Sequence, residues 1–455
     1  MEGMNGTLGK EEIRLAEKSL ETVLRLGANK ARVTLNKSLM ELYGTLNGEL
    51  DKVNHCLDRS MSVCLFVDGR FGSFSTNRLD ESELETFLAK SISTVRMLAE
   101  DPCRDLPDPS RTAKDASSGK ELCLFDPSYP ELTSEERLRM AMDASIFKAH
   151  GEDGLISEEG EYSDSVFDSF VADSNGLRCR HTETSFEYGV EMTVLDKEGN
   201  RYSGYWWDSS PRLKNLQIGG CGETALKRAL AQIGPGKVPS GQYTMVVDSE
   251  NASRLVTPLI NALGGYALQQ KNSFLLDTLG KRVFPEWMNL VDLPHAKGFT
   301  GSRLFDSEGV ATKETPVIEN GIVKEYFINT YMSGKMGMEP TIEDVTRPVM
   351  LPCTAPGLAK PEKMDRDSIM ELVGNGILVT GFNGGNSNSA TGDFSFGIEG
   401  FLFKDGKIVH PVREMLITGN FLTLWENLLA AGDDPRPCKS KLIPTLAFGK
   451  VFFSA

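Results

Sequence analysis

The sequence predicts an α+β protein whose C-terminal half is mostly β. Helical and strand periodicities alternate through the first hundred residues. Strand-like runs separated by turn signals follow over 166–207. Beyond residue 240, short strands and glycine turns dominate. The chain has 455 residues, 40% hydrophobic and 25% charged, so it is long enough for two or three cores of ordinary globular composition.

Taken in order, Ile13, Ala16, Leu20 and Val23 recur at helical spacing, and Gly27 ends the run as a C-terminal cap. Ala31, Val33 and Leu35 alternate as a half-buried strand does, and a second such stretch covers 39–50. The run 62–67 leads into Asp68-Gly69, a hairpin turn, and 71–74 returns. Asp80 and Glu83 open a helix whose apolar face is Leu84, Phe87, Ser91, Val95 and Leu98. Residues 1–105 thus read as an N-terminal α/β sandwich-like unit. The stretch 101–120 holds three prolines and little to bury, so it reads as a linker or exposed loop.

Thr133 and Glu136 form a capping box ahead of Leu138, Met142, Ile146 and Ala149. After Gly151 the runs 166–172, 176–181, 186–195 and 201–207 read as an antiparallel meander. Ala225, Leu226, Ala229, Leu230 and Ile233 form a helix that stops at Gly234-Pro235, which closes a middle α+β domain over 120–235. The third domain, 236–455, opens with a strand at 243–247 and a helix beginning at Asp248 or Ser249. Short strands follow, with one further helix over 421–431.

The formal charge of −15 and a pI near 5.0 argue against binding phosphate backbones or anionic membranes, so neither nucleic acid nor membrane is expected as a partner. The residues after Met1 are polar, and no stretch nears the roughly 18 apolar residues of a membrane helix. The cysteines are scattered without a CxxC pair, which suits reduced thiols and a cytoplasmic location.

The five histidines (His55, His150, His181, His295, His410) lie outside helical reach of one another, so no zinc spacing exists. Gly219-Gly220-Cys221-Gly222 lacks the Lys-Ser/Thr of a phosphate loop, and no GxSxG elbow is present. Tyr205-Trp206-Trp207 offers aromatic faces, but strand spacing turns one ring to the core. Asp306, Glu308 and Glu314 could pair for acid–base chemistry, yet they read mainly as a solvated loop. The densest unusual stretch is 381–400, GFNGGNSNSATGDFSFGIEG. Its glycines and asparagines demand positive φ or close approach, and its bare backbone suits either an extended peptide or a tight turn system at an interface.

Two blocks, FDSEGVATKETPVIENGIVKEYFINTYMSGKMG (305–337) and GFNGGNSNSATGDFSFGIEGFLFKDGKIVHPVREMLITGN (381–420), resemble the signatures of the TldD/PmbA family. VCLFVDGRFGSFST (63–76) also fits its first domain. The resemblance implies a three-part chain that pairs with a second subunit. In that family the TldD branch is a zinc metallopeptidase with HExxxH on a helix opening the C-terminal domain and a cysteine ligand near the C-terminus. The PmbA (TldE) branch lacks the motif and partners the active subunit. The pair is associated with cleaving unfolded peptides, maturing a peptide-antibiotic precursor and degrading an antitoxin; an older label is modulator of DNA gyrase.

Carried onto this chain, the HExxxH window falls near 257–262, TPLINA. Thr257 and Ala262 stand where imidazoles are needed and Pro258 where the general base belongs. Cys438 lies in RPCKSKLIP, unlike the glycine-rich setting of the family's cysteine ligand. The resemblance therefore implies a PmbA-like chain without a metal site, not catalytic alone, with zinc only on a TldD-type partner. That partner makes a heterodimer; a homodimer is the other arrangement. Asn383, Gly384, Gly385, Asn386, Thr391, Gly392, Phe394, Ser395 and Gly397 are the candidate peptide-binding or interface residues. The alternatives are a stand-alone peptidase with a non-zinc site, built on scattered carboxylates or on His295 and His410, and a binding protein acting on DNA gyrase.

Overall fold

The computed structural model describes residues 6–150 and 154–455. Met1, Gly151 and the side chain of His150 lie outside the described residues. The chain divides into two compact units. One runs to Ala229 and includes 295–312 and 329–342; the other holds 230–294, 313–328 and 343–455.

The first unit contains α1 (Lys10–Arg25), β1 (Lys30–Leu46), β2 (Glu49–Val67), β3 (Arg70–Thr76), α2 (Glu81–Val95), α3 (Ser134–Asp143) and α4 (Phe147–His150). β4 (Leu155–Asp173), β5 (Arg178–Leu195), β6 (Arg201–Ser210) and α5 (Cys221–Leu230) follow. Its strands make one antiparallel sheet in the order β3-β2-β1-β4-β5-β6, so segments 1–105 and 120–235 share a sheet. Ala16, Leu20 and Val23 of α1 and Leu84, Leu88, Ile92 and Val95 of α2 bury against Ala31, Val33, Leu35, Met61, Val63 and Leu65. This is the helical period of 3.6 meeting the strand period of 2. The Asp68-Gly69 turn takes positive φ at both residues, as the hairpin signal predicts. Thr133 and Glu136 cap α3 reciprocally, the Glu136 amide donating to Thr133 Oγ1 (3.2 Å) and the Thr133 amide to Glu136 Oε2 (2.9 Å).

The expected linker at 101–120 is instead a built strap. Leu106 and Ala116 are buried, and Ala113 and Ala116 join Val171, Leu177, Cys179 and Phe305 in a small core. Its backbone closes the edge of β5: the Arg180 and Thr182 amides donate to Ala116 and Gly119 carbonyls, at 2.6 and 2.9 Å. Proline and small polar residues forbid regular elements there, but alanine methyls still bury and carbonyls still accept.

In chain order the second unit continues with β7 (Gly241–Val247), α6 (Ser253–Ala262), α7 (Gly265–Gln269), β8 (Leu290–Asp292), β9 (Thr315–Glu319) and β10 (Ile322–Val323). After α8 (Thr330–Met336), which belongs to the first unit, come β11 (Pro348–Met350), β12 (Cys353–Thr354), α9 (Arg366–Val373), β13 (Gly376–Ser387) and β14 (Asp393–Lys404). β15 (Lys407–Asn420), α10 (Phe421–Glu426), β16 (Leu428–Ala431) and β17 (Leu446–Ser454) complete it. Its main sheet runs β12-β16-β17-β15-β14-β13-β7, and pairing of β17 with β7 closes five of these strands into a ring. β7 lies parallel to β13; its neighbour β17 is antiparallel.

Two local expectations shift here. The helix expected to open at Asp248 or Ser249 starts at Ser253, because Asp248 instead makes a turn, accepting from the Asn251 amide at 3.0 Å. The helix expected over 421–431 stops at Glu426, and Leu428–Ala431 is a strand on β17. A short apolar run carries no period that separates the two states; Asn427 leaves helical geometry and accepts from the Gly449 amide (2.9 Å).

Candidate functional site

α6 follows β7 directly, and its sequence sorts its faces. Leu255, Val256, Leu259, Ile260 and Ala262 are buried, while Thr257, Pro258 and Asn261 are left on the accessible side. Pro258 has no amide to give the Arg254 carbonyl. The Asn251 side chain ties the turn ahead of α6 to β13 by donating to the Thr380 carbonyl (2.7 Å).

The glycine-asparagine stretch folds into the β13–β14 hairpin. Its register shifts between Asn383 and Asn386, a bulge. Gly385 takes φ +100° there, and a Cβ on it would lie 2.2 Å from the Ser395 carbonyl oxygen. At the tip, Asn388 Oδ1 accepts from the Ala390 and Thr391 amides (2.9 and 3.2 Å). Thr391 Oγ1 donates to Asp393 Oδ2 (2.6 Å), and Asn420 Nδ2 donates to the Thr391 carbonyl and Asp393 Oδ1 (2.8 and 2.9 Å). Hydrogen bonds from Asn420 first, then Thr391, hold the Asp393 carboxyl below its ordinary pKa. Gly392 backs onto the Phe274 ring, which a Cβ there would approach to 3.1 Å.

Beneath the hairpin, Phe394 stacks on Phe396 (5.3 Å between centroids), and Phe421 touches both Phe394 (4.9 Å) and Phe274 (5.7 Å). The Phe274 amide donates to the Ser389 carbonyl at 2.9 Å, which fastens the hairpin tip to the segment after α7.

Between helix and hairpin lies a groove of about 410 Å³. Pro258, Asn261, Ala262, Tyr266, Ala267 and Gln270 form one wall; Ser387, Asn388 and Ser389 form the other, over Asn272, Phe274 and Phe421. No carboxylate, ammonium, guanidinium or imidazole is among them. Carboxamides present both donors and acceptors, which match the amide and carbonyl of a peptide backbone, and the rings supply apolar contact. A larger cleft, about 700 Å³, borders Glu12, Lys37 and Arg59 in the first unit, but these charges bond one another (3.1 Å for each cation to Glu12).

Of the window residues, Pro258 and Ala262 line the groove, whereas the Thr257 hydroxyl donates to the Ser253 carbonyl (2.8 Å) and accepts from Lys441 Nζ (3.1 Å). An ammonium, a hydroxyl, a pyrrolidine and a methyl do not fit a zinc ion, which takes imidazole, thiolate or carboxylate. No group of three or more His, Cys, Asp or Glu able to hold a metal exists among the described residues. Cys438 is buried beside Arg436 and Lys439, both ion-paired with Glu250 (Lys439 at 2.8 Å). Burial works to raise the Glu250 pKa, but its bonds to Lys439 and Arg436 outweigh that and lower it.

Of the hairpin residues singled out from sequence, Asn383, Gly384, Gly385, Asn386, Thr391 and Ser395 are exposed outside the groove lining. Gly392 and Phe394 are buried, and Gly397 abuts the Asn383 carbonyl. Between them, Ser387–Ser389 line the groove, which sequence reasoning passed over. Glu308 accepts from the Thr330 amide (2.9 Å) at the start of α8, and Asp306 accepts from the Glu308 and Val310 amides (2.9 Å each) within its own turn, so both serve structure. His295 bonds Thr312 Oγ1 and His410 the Pro411 carbonyl, each at 3.0 Å.

A family profile described as the PmbA/TldA metallopeptidase C-terminal domain matches residues 240–455, and its central-domain counterpart matches 127–233. The chain is 25% identical over 447 residues to metalloprotease PmbA of Escherichia coli O157:H7, covering 95% of this chain and 96% of that one. It is similar to a crystal structure from Bacteroides thetaiotaomicron described as a candidate modulator of DNA gyrase, with TM-score 0.92, 40% identity, and 98% and 99% of the two chains covered. TldE from Thermococcus kodakarensis shares the fold, at TM-score 0.80 and 17% identity over 97% and 100% of the chains.

Proposed function

We propose, from the premise that this chain belongs to the PmbA/TldD family, that it is a PmbA/TldE-like subunit that binds peptide without a metal of its own. Hydrolysis of the bound peptide falls to a TldD-type partner that carries the zinc. One observation carries the reading: the groove sits against the α6 window, and its lining is carboxamide, hydroxyl, aromatic and aliphatic, with no charged group. Such a lining holds an extended, unfolded segment through its backbone and supplies no carboxylate or imidazole to act as a base. None of the eight cysteines is in a disulfide, which supports a reducing cytoplasm as the place of action. No described helix is long and apolar enough to cross a membrane.

The test combines metal analysis with a mixing assay. The purified chain should carry far less than one zinc per molecule and leave an unfolded peptide intact. Mixed with a TldD-type relative it should accelerate cleavage, and a chelator should abolish that cleavage. Stoichiometric zinc together with peptide cleavage by this chain alone would sink the proposal.

A further inference from the structure

We infer that Arg254 sets the substrate class of the groove proposed above: its guanidinium receives a carboxylate of the bound peptide, so peptides acidic at that end are held in preference to neutral ones. This role rests on the peptide reading of the groove and adds a charge preference to it.

α6 brings Arg254 to the groove. Positions 254, 258 and 261 recur on the accessible side of the helix; Arg254 and Asn261 are exposed, and Pro258 and Asn261 line the groove. Arg254 thus stands one turn beyond Pro258, at the end of the groove nearer the start of the helix. There its guanidinium carbon lies over the Phe396 ring, 5.1 Å from the centroid. Phe396 is buried and touches Phe421 (6.4 Å between centroids), which floors the groove. The ring positions the cation without neutralising it.

Other arginines of the second unit are answered by carboxylates. Arg282 pairs with Glu286, Arg366 with Asp367, Arg413 with Glu399 and Arg436 with Glu250. Arg254 has no such partner among the described residues, and it is the single ionisable residue of α6. An exposed, ring-held guanidinium presents a fork of N–H donors that fits a carboxylate. The backbone amides of the first turn do not compete for that anion. The Arg254 amide donates to the Asn251 carbonyl (3.0 Å) and the Leu255 amide to the Ala252 carbonyl (3.1 Å).

The anion a peptide carries is a carboxylate, at its C-terminus or on Asp and Glu. Two turns of helix separate Arg254 from Asn261, roughly 10 Å, which an extended peptide covers in about three residues. A peptide whose C-terminal carboxylate sits on Arg254 therefore lays its last residues past Pro258 to the Asn261 carboxamide. Its earlier residues run on toward Tyr266 and Gln270.

Fluorescence anisotropy on the full chain reads the preference. One neutral, unfolded sequence, labelled at its N-terminus, is made as the free acid, as the C-terminal amide, and as the amide with Asp as its last residue. Wild type should bind the free acid about ten-fold more tightly than the amide, and added salt should narrow the gap. Arg254→Gln should lose the gap, and Arg254→Lys, which keeps the charge but not the fork, should retain part of it. A gain confined to the free acid places the chain end on Arg254, and an equal gain from the Asp-bearing amide places a side chain there; either upholds the role. All three forms bound alike by wild type, or a gain that survives Arg254→Gln, would overturn it while leaving the peptide groove standing. No binding of any form would overturn both.

Discussion

The two flanks of α6 carry opposite chemistry. Toward the hairpin, Pro258, Asn261 and Ala262 face a neutral groove floored by Phe274 and Phe421. Around the start of the helix, the turn residue Glu250 is gripped by Arg436 and Lys439, and Lys441 reaches Thr257 at 3.1 Å. On the ionic flank Glu250 is paired with Arg436 and Lys439, and the Lys441 ammonium donates to a hydroxyl. The neutral flank has open room between its walls. The positions where the family resemblance expects metal ligands thus divide between a structural ion-pair cluster and an amide-lined groove. On the proposed reading, this groove suits an uncharged peptide backbone rather than a metal ion.

The sharpest way to break this comparison is to remove the floor of the groove. Phe421 is fully buried and contacts Phe274, Phe394 and Phe396. Phe421→Ala should cost about 3–5 kcal/mol of stability, read as a large fall in the denaturation midpoint, and peptide binding should fall with it. On the ionic flank, Glu250→Gln should cost about 1–3 kcal/mol, because Arg436 and Lys439 keep their charge in a mostly buried place. It should leave peptide affinity within about two-fold, and a larger loss of affinity would show that the flanks are coupled.

Acid titration separates the flanks further. The folded Glu250 pKa lies below its ordinary 4.5, so its contribution to stability is present above the unfolded value. That contribution disappears as pH falls through the folded one. Wild type should therefore lose stability relative to Glu250→Gln only below about pH 4.5, measured by chemical denaturation across pH. The smallest effect belongs to Lys441→Met, which removes one ammonium–hydroxyl bond and should cost about 0.5–1.5 kcal/mol by the same measurement.

Much of the fold was legible because local signals and tertiary demands agree. Thr133 with Glu136, Asp68-Gly69, and the alternation of Ala31, Val33 and Leu35 each settle their element within a few residues. The strap at 101–120 was not, since its order comes from pairing with β5, about sixty residues away, rather than from its own sequence. Nor was the end of α10, where Leu428–Ala431 could serve helix or strand until β17 claims it. At the candidate site the sequence pointed to the hairpin and to 257–262, but the groove joins them through Tyr266, Gln270, Asn272 and Ser387–Ser389. Asn261 and Asn388 are brought to the same groove by long-range contacts such as the Phe274–Ser389 bond and the Phe421 stack, which no spacing rule anticipates.

The proposed role gives this chain a neutral groove that binds peptide without metal. The most direct measurement is fluorescence anisotropy of a labelled, unfolded, uncharged peptide titrated with chelator-treated protein, wild type beside Asn261→Arg. Asn261 is exposed on the groove wall, so the arginine should charge the groove without unfolding the chain. The expected result is saturable binding, unchanged by chelator and weakened at least about ten-fold by Asn261→Arg. Binding that needs added zinc, or that is equal in wild type and Asn261→Arg, would contradict it.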